Sequence, residues 1–181
     1  SKFGVFSLGI VTFQFFNLII EYGFALSVAK KLNLINDKNQ QSELYSSIII
    51  SKIILFLLSI IFVAFFFFFI EEELGEIFFV FSIGLILVVF NPSWYFQAKG
   101  SFRNLCFISV SSKLITLLII YLNSINKVEV YFTIYISQYL FIFIVGNYLL
   151  FKNDLRLKIQ KGILSKSFYN LKEGKNFFLS N

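Results

Sequence analysis

Five stretches, at 4–26, 47–70, 77–97, 105–122 and 130–151, carry no charge or almost none. Crossing about 30 Å of hydrocarbon takes about 20 helical residues, so each stretch is long enough to span a bilayer. Inside hydrocarbon the backbone must satisfy its own hydrogen bonds, which leaves the α-helix as the form for runs of this length. The expected fold class is therefore all-α, a polytopic transmembrane helix bundle treated as a single transmembrane domain over 1–181. A basic segment follows at 152–175. The six residues 176–181 read as the start of a sixth span.

Composition supports the same solvent. Apolar residues make up 57% and charged residues 14%, against about 45–50% and about 25% in a soluble domain. The 27 phenylalanines, with a block of them at 65–69, exceed what a core this small can hide, but they can face lipid. The first span has no basic leader and no small-residue cleavage site, so it does not read as a cleavable signal peptide.

Several chemistries drop out. Cys106 is the single cysteine and there is no histidine, which excludes a disulfide framework, a histidine-ligated metal site, and the Ser-His-Asp and Cys-His arrangements. No metal or other cofactor is expected. Embedded enzymes that use only carboxylates are not excluded by this argument.

Lysine and arginine mark cytoplasmic loops. Lys30, Lys31 and Lys38 lie between the first and second spans, whereas Glu71, Glu72, Glu73 and Glu76, with no basic residue among them, lie between the second and third. Lys99 and Arg103 follow the third span, Lys127 alone sits in the short connection before the fifth, and Lys152, Arg156, Lys158, Lys161, Lys166, Lys172 and Lys175 come after it. The alternation places the 71–76 loop outside and the 152–175 segment in the cytoplasm of a cell-membrane protein. It already accounts for the basic tail, so no nucleic-acid partner is expected. The first span then runs inward from an outside start, and the chain contains no methionine. The expectation is a piece of a longer polytopic protein, with an odd number of spans upstream, most simply one.

Polar side chains facing lipid are costly, so a polar stripe at helical spacing faces other helices or a cavity. The first span carries Ser7, Gln14, Asn17 and Glu21 on one face, and the fourth carries Ser109, Ser112, Lys113 and Thr116. Lys113 lies about eight residues, roughly 12 Å, into its span, where an unpaired lysine costs at least about 2.5–3.5 kcal/mol. It is expected to line a cavity and meet a carboxylate such as Glu21, a carbonyl, water or an anionic ligand. Lys52 lies nearer its span's end and is expected to snorkel to the interface. Pro92 should bend the third span near the inner leaflet, with Trp94 and Tyr95 at headgroup depth.

The wording of two segments carries more. Pro92-Ser93-Trp94-Tyr95-Phe96-Gln97 resembles the P-x-W-[FY]-F-Q-G-x-E motif of Wzx-type polysaccharide flippases of the multidrug/oligosaccharidyl-lipid/polysaccharide exporter superfamily. Glu21-Tyr22-Gly23-Phe24-Ala25-Leu26-Ser27, followed by Lys30, is similar to their [DE]-Y-G-F-x-x-S-x-x-[RK]. Ser42-Glu43-Leu44-Tyr45-Ser46-Ser47 through Lys52 and Leu171-Lys172-Glu173-Gly174 are similar to further family segments. Ala98 and Gly100 stand where the family usually has glycine and glutamate, and Lys30 where arginine is common.

The resemblance covers nearly all of the chain and implies the N-terminal half of a transporter of 12 to 14 helices in two six-helix lobes. It implies no enzyme activity, but translocation of a polyprenyl-diphosphate-linked oligosaccharide by alternating access. The implied partners are that substrate, membrane lipid and other polysaccharide assembly proteins. Under this reading Lys113, Gln14, Asn17, Ser109, Ser112 and Thr116 are candidate substrate contacts, and Glu21, Pro92 and Gln97 candidate coupling or gating residues. The alternatives are a multidrug exporter of the same superfamily, an embedded glycan enzyme such as a polymerase, and a truncated inactive product.

Overall fold

The computed structural model describes residues 2–68, 75–122 and 128–179. These form eight α-helices and no strand: α1 (Lys2–Glu21), α2 (Phe24–Leu34), α3 (Lys38–Phe68), α4 (Gly75–Val89), α5 (Ser93–Ala98), α6 (Phe102–Leu122), α7 (Val128–Lys152) and α8 (Ile163–Leu179). The all-α expectation holds. Five stretches are long and apolar enough to cross a membrane: Ser7–Leu34, Lys38–Phe65, Val80–Ala98, Phe102–Leu122 and Val130–Lys152. The chain is membrane-embedded and polytopic. Glu71, Glu72 and Glu73 of the acidic connection, and all of 123–127, lie outside the described residues.

Two of the five spans are not single helices. The first breaks at Tyr22 and Gly23, whose φ angles of 46° and 70° are left-handed. Glycine accepts that conformation freely, but tyrosine pays for it. The third span breaks at Pro92, which lacks an N–H, so α4 stops at Val89 and α5 restarts at Ser93. A bend was expected there, but the helix is interrupted outright. The unbroken α3 packs beside both broken spans, against α1 and α4, and α2 packs on α5.

The core lies where α1, α4 and α7 meet. Phe13 is its hub, edge-on to Phe81, Phe132, Tyr135 and Tyr139 at 5.0–6.4 Å. Such geometry suits aromatic quadrupoles. The close approach depends on Gly84, where an added Cβ would stand 2.6 Å from the Phe13 ring and 2.7 Å from Ile136. Small residues at helix contacts serve the same end in membrane bundles generally.

Within the basic 152–175 segment the chain turns helical at Ile163, and α8 runs on to Leu179. The residues expected to open a sixth span therefore continue this helix as far as Leu179. One seam of α8 docks on α3 through buried polar contacts: the Ser167 hydroxyl donates to Ser47 O at 2.9 Å, Ser51 donates to Ser167 O at 3.0 Å, and Asn170 donates to Ser47 Oγ at 2.9 Å. At its edges Lys166 pairs with Glu43 at 2.9 Å, and Lys31 of α2 pairs with Glu173. Partial burial opposes ionisation of Glu173, but hydrogen bonds from Lys31 and Tyr169 outweigh it and hold the carboxyl below its ordinary value. The reciprocal bond to Glu173 raises Tyr169.

Candidate functional site

The break between α4 and α5 opens backbone groups that an apolar surrounding cannot satisfy, and polar residues near it supply partners. At the α4–α5 break Phe90 O accepts from Asn147 Nδ2 of α7 at 3.0 Å. Asn91 O accepts from Lys52 Nζ of α3 at 3.4 Å. The side chain of Asn91 then turns forward to accept from Ser93 N at 2.9 Å. Val88 O, which the missing proline N–H would have served, accepts instead from Asn91 N at 3.1 Å, and the carbonyls of Phe90 and Asn91, opened by the break, receive side-chain donors.

Lys52 is the joint. Its side chain is 0% exposed, and Nζ lies 3.0 Å from Glu21 Oε1, at the last residue of α1. The contact is electrostatic more than directional, since Glu21 Oε1 receives no well-aligned hydrogen bond among the described residues. The same ammonium stands 5.9 Å from the Trp94 ring centroid, within cation–π reach. One cation from the continuous span therefore meets the C-terminal side of α1 and the opened carbonyl beyond α4, where helix dipoles favour positive charge. The expected snorkelling of Lys52 is overturned: its counter-charge is inside the bundle, so the ammonium has no need to reach the interface.

The aromatic residues follow it inward. Trp94 is 2% exposed and stacks on Tyr45 at 5.6 Å and 12°, and Tyr95 is buried with its hydroxyl donating to Gln41 Oε1 at 3.4 Å. At whatever depth they lie, these rings face protein and not lipid, because α5 packs against α2 and α6.

Beside the joint opens a cleft of about 450 Å³ lined by Asn17, Glu21, Asn91, Ser93, Trp94 and Gln97 among others. Its polar groups are mostly amides, with one carboxylate already opposed by Lys52. Asn17 Oδ1 and Trp94 Nε1 are buried without a hydrogen-bond partner among the described residues. Leaving such groups unsatisfied costs about 1–3 kcal/mol each.

The stripe of the first span stays together. Gln14 donates to Tyr135 Oη at 3.3 Å and Asn17 Nδ2 to Tyr139 Oη at 3.5 Å, which continues the polar line from Glu21 along the α1–α7 seam. Of the other expected residues, Gln97 is exposed on the cleft and Pro92 is buried against α7. An added Cβ at Gly146 would meet Pro92 Cγ at 2.4 Å.

The stripe of the fourth span does not join them. Ser112 donates to Ser109 O at 3.0 Å and Thr116 to Ser112 O at 2.9 Å, so these hydroxyls close on their own helix. Lys113 is exposed on α6, with neither ion pair nor hydrogen bond to the described residues. Its expected alternative partner, Glu21, is held by Lys52 instead. Sequence reasoning missed Asn91, Tyr45 and Asn147 and undervalued Lys52. The legible signal was an asparagine directly before the proline and a lysine inside an apolar run.

A family profile described as polysaccharide biosynthesis protein matches residues 1–181. No curated protein and no solved structure matches the chain.

Proposed function

The chain belongs to the polysaccharide biosynthesis protein family, and from that premise we propose that it works as a Wzx-type flippase lobe, carrying a polyprenyl-diphosphate-linked oligosaccharide from the inner to the outer leaflet of the cytoplasmic membrane. The observation that carries this reading is the meeting of two interrupted spans at a polar cleft. Broken backbone at membrane depth is tolerated where it is buried or lines a cavity, and in secondary transporters discontinuous helices build the substrate site. The two interruptions here coincide with the two motifs, Glu21-Tyr22-Gly23-Phe24 and Pro92-Ser93-Trp94-Tyr95-Phe96-Gln97.

In this mechanism no covalent bond is made or broken, so the protein is a carrier and not an enzyme. Amide groups of Gln14, Asn17 and Gln97 exchange hydrogen bonds with sugar hydroxyls, and the orphaned Trp94 N–H and Asn17 carbonyl gain partners as the cleft changes shape. The short α2 and α5, pivoting at Tyr22–Gly23 and Pro92, gate the inner mouth. Glu21 and Lys52 hold the gate while paired, and a proton or cation that takes Glu21 away from Lys52 loosens it. Lys113, exposed on α6 and bare of partners, serves the pyrophosphate, with Ser109, Ser112 and Thr116 beside it. The 71–76 loop lies outside and the 152–175 segment in the cytoplasm. Membrane lipid holds the polyprenyl tail, other polysaccharide assembly proteins receive the product, and nucleic acid takes no part.

The protein encoded by the complete reading frame should be placed in vesicles that contain a fluorescent polyprenyl-diphosphate sugar. Faster exposure of that lipid to a membrane-impermeant bleaching agent than in protein-free vesicles is the expected result, lost in Glu21→Gln. A rate equal to that of protein-free vesicles sinks the proposal.

A further inference from the structure

The outer flank of α8 and the connection before it form a surface that the rest of the described bundle leaves uncovered. Leu164 and Phe168 are 59% and 60% exposed, one helical turn apart, and Leu157 and Ile159 of the preceding connection are 55% and 85% exposed. Around them stand Lys161, Lys172 and Lys175, all exposed and without a carboxylate partner among the described residues. Three lysines that pack beside α8 or precede it differ: Lys166 is paired with Glu43, Lys31 with Glu173, and Lys158 donates to Asn39 Oδ1 at 2.6 Å. The helix thus separates its faces. The seam with Ser167 and Asn170 is bound to α3, the edge with Lys166 and Glu173 is neutralised, and only the Leu164–Phe168 flank combines apolar bulk with free positive charge.

The depth of this flank is set by what holds α8. The helix crosses α3 at Ser47 and Ser51 and reaches α2 through Glu173 to Lys31, so it bridges the ends of two spans. A helix fixed at that level, with apolar residues rimmed by lysines, has the features of an interfacial segment, and lysines near a leaflet surface are attracted to anionic headgroups.

We propose that residues 157–175 form an in-plane docking surface for anionic phospholipid headgroups, with Leu157, Ile159, Leu164 and Phe168 entering the acyl boundary and Lys161, Lys172 and Lys175 contacting the phosphates. The inference stands apart from the transport reading, since it requires neither the cleft nor a glycan.

The test uses the full chain in vesicles, with Leu164→Cys in a Cys106→Ser background carrying an environment-sensitive fluorophore. Nitroxide-labelled lipids should quench the probe at headgroup depth, more strongly with phosphatidylglycerol present than in phosphatidylcholine alone. That excess should vanish in Lys161→Gln/Lys172→Gln/Lys175→Gln, and also in the unmutated labelled protein when salt shortens the Debye length to a few ångströms, an arm that does not depend on the variant folding. Equal quenching in both lipids overturns the proposal, as does quenching by aqueous iodide alone. A probe reached by neither quencher is covered by protein, and that result overturns it as well.

Discussion

Lys52 and Lys113 are the two basic residues within the charge-poor stretches 47–70 and 105–122, and their surroundings are opposite. Lys52, near the end of its apolar run, is fully enclosed and meets a carboxylate, a backbone carbonyl and an indole ring. Lys113, near the middle of its run, is exposed with no partner in the described bundle. Depth along a helix therefore does not decide whether a charge is buried. The neighbouring span does: α3 touches both broken spans, whereas α6 packs on α7 and α5 and turns Val110, Leu114 and Leu117 outward. The first lysine holds the bundle together, and the second is free for a visitor.

The largest way to break this contrast is to remove half of the buried pair. Lys52→Ala leaves the Glu21 carboxylate unpaired, and loss of one partner of a buried pair costs about 3–5 kcal/mol. Helix unfolding in detergent should shift accordingly, while a change below about 1 kcal/mol would place Lys52 outside the core. The Lys52→Met/Glu21→Met double variant should recover much of the loss, since apolar replacement of a whole pair is often neutral or better.

Gly146→Ala comes next. The new methyl meets Pro92, and overpacking of this kind costs about 1–3 kcal/mol. An unchanged unfolding midpoint would mean that Pro92 does not rest on α7.

A smaller effect is expected at the latch between Lys31 and Glu173. The folded carboxyl of Glu173 titrates below its unfolded value, so the Lys31–Glu173 contribution is fully present above the unfolded pKa and is lost as pH falls through the folded one. For a partly exposed pair that is about 0.2–1 kcal/mol. Proteolysis between α7 and α8 should rise on acidification, and Glu173→Gln should remove that part of the pH dependence. A variant that keeps the whole dependence would assign it elsewhere.

Lys113→Leu should change unfolding in micelles by no more than about 0.5 kcal/mol, as for a site without packed partners. It should nevertheless lower glycolipid transfer in vesicles of the complete protein. A large loss of stability would reveal a partner for Lys113 and end the contrast with Lys52. Trp94 offers a check without mutation. As the single tryptophan and a buried one, it should resist quenching by headgroup nitroxides, and strong quenching would turn its ring toward lipid.

Much of the fold was legible from hydropathy, because a span depends on the summed transfer energy of about 20 residues and hardly on which helix lies beside it. All five spans appear, some ends unmoved and others displaced by up to about two and a half turns, most visibly for α3, which begins at Lys38 because its first turns are polar and a charge-free window omits them. The stripe of Gln14, Asn17 and Glu21 was equally legible, since helical period alone puts those residues on one side. The stripe of Ser109, Ser112 and Thr116 also turns toward the bundle, with Ser112 buried, but Ser112 and Thr116 bond to their own helix, as serine and threonine in apolar surroundings can. Proline signalled a disturbance at 92. A full break depended on Asn147 and Lys52 being present to take the opened carbonyls.

By itself, then, the amino-acid order determined the solvent, the helical class, the number of spans and the positions of two interruptible segments. These are local properties, set by side-chain transfer energies and backbone sterics within a few turns. Tertiary structure alone decided that Glu21 and Asn91, on different spans, would share the ammonium of Lys52, and that Lys113 would be left outside. Such pairings join residues 31 and more positions apart, and which of them form depends on how helices dock, where a rotation of one helix exchanges a buried charge for an exposed one.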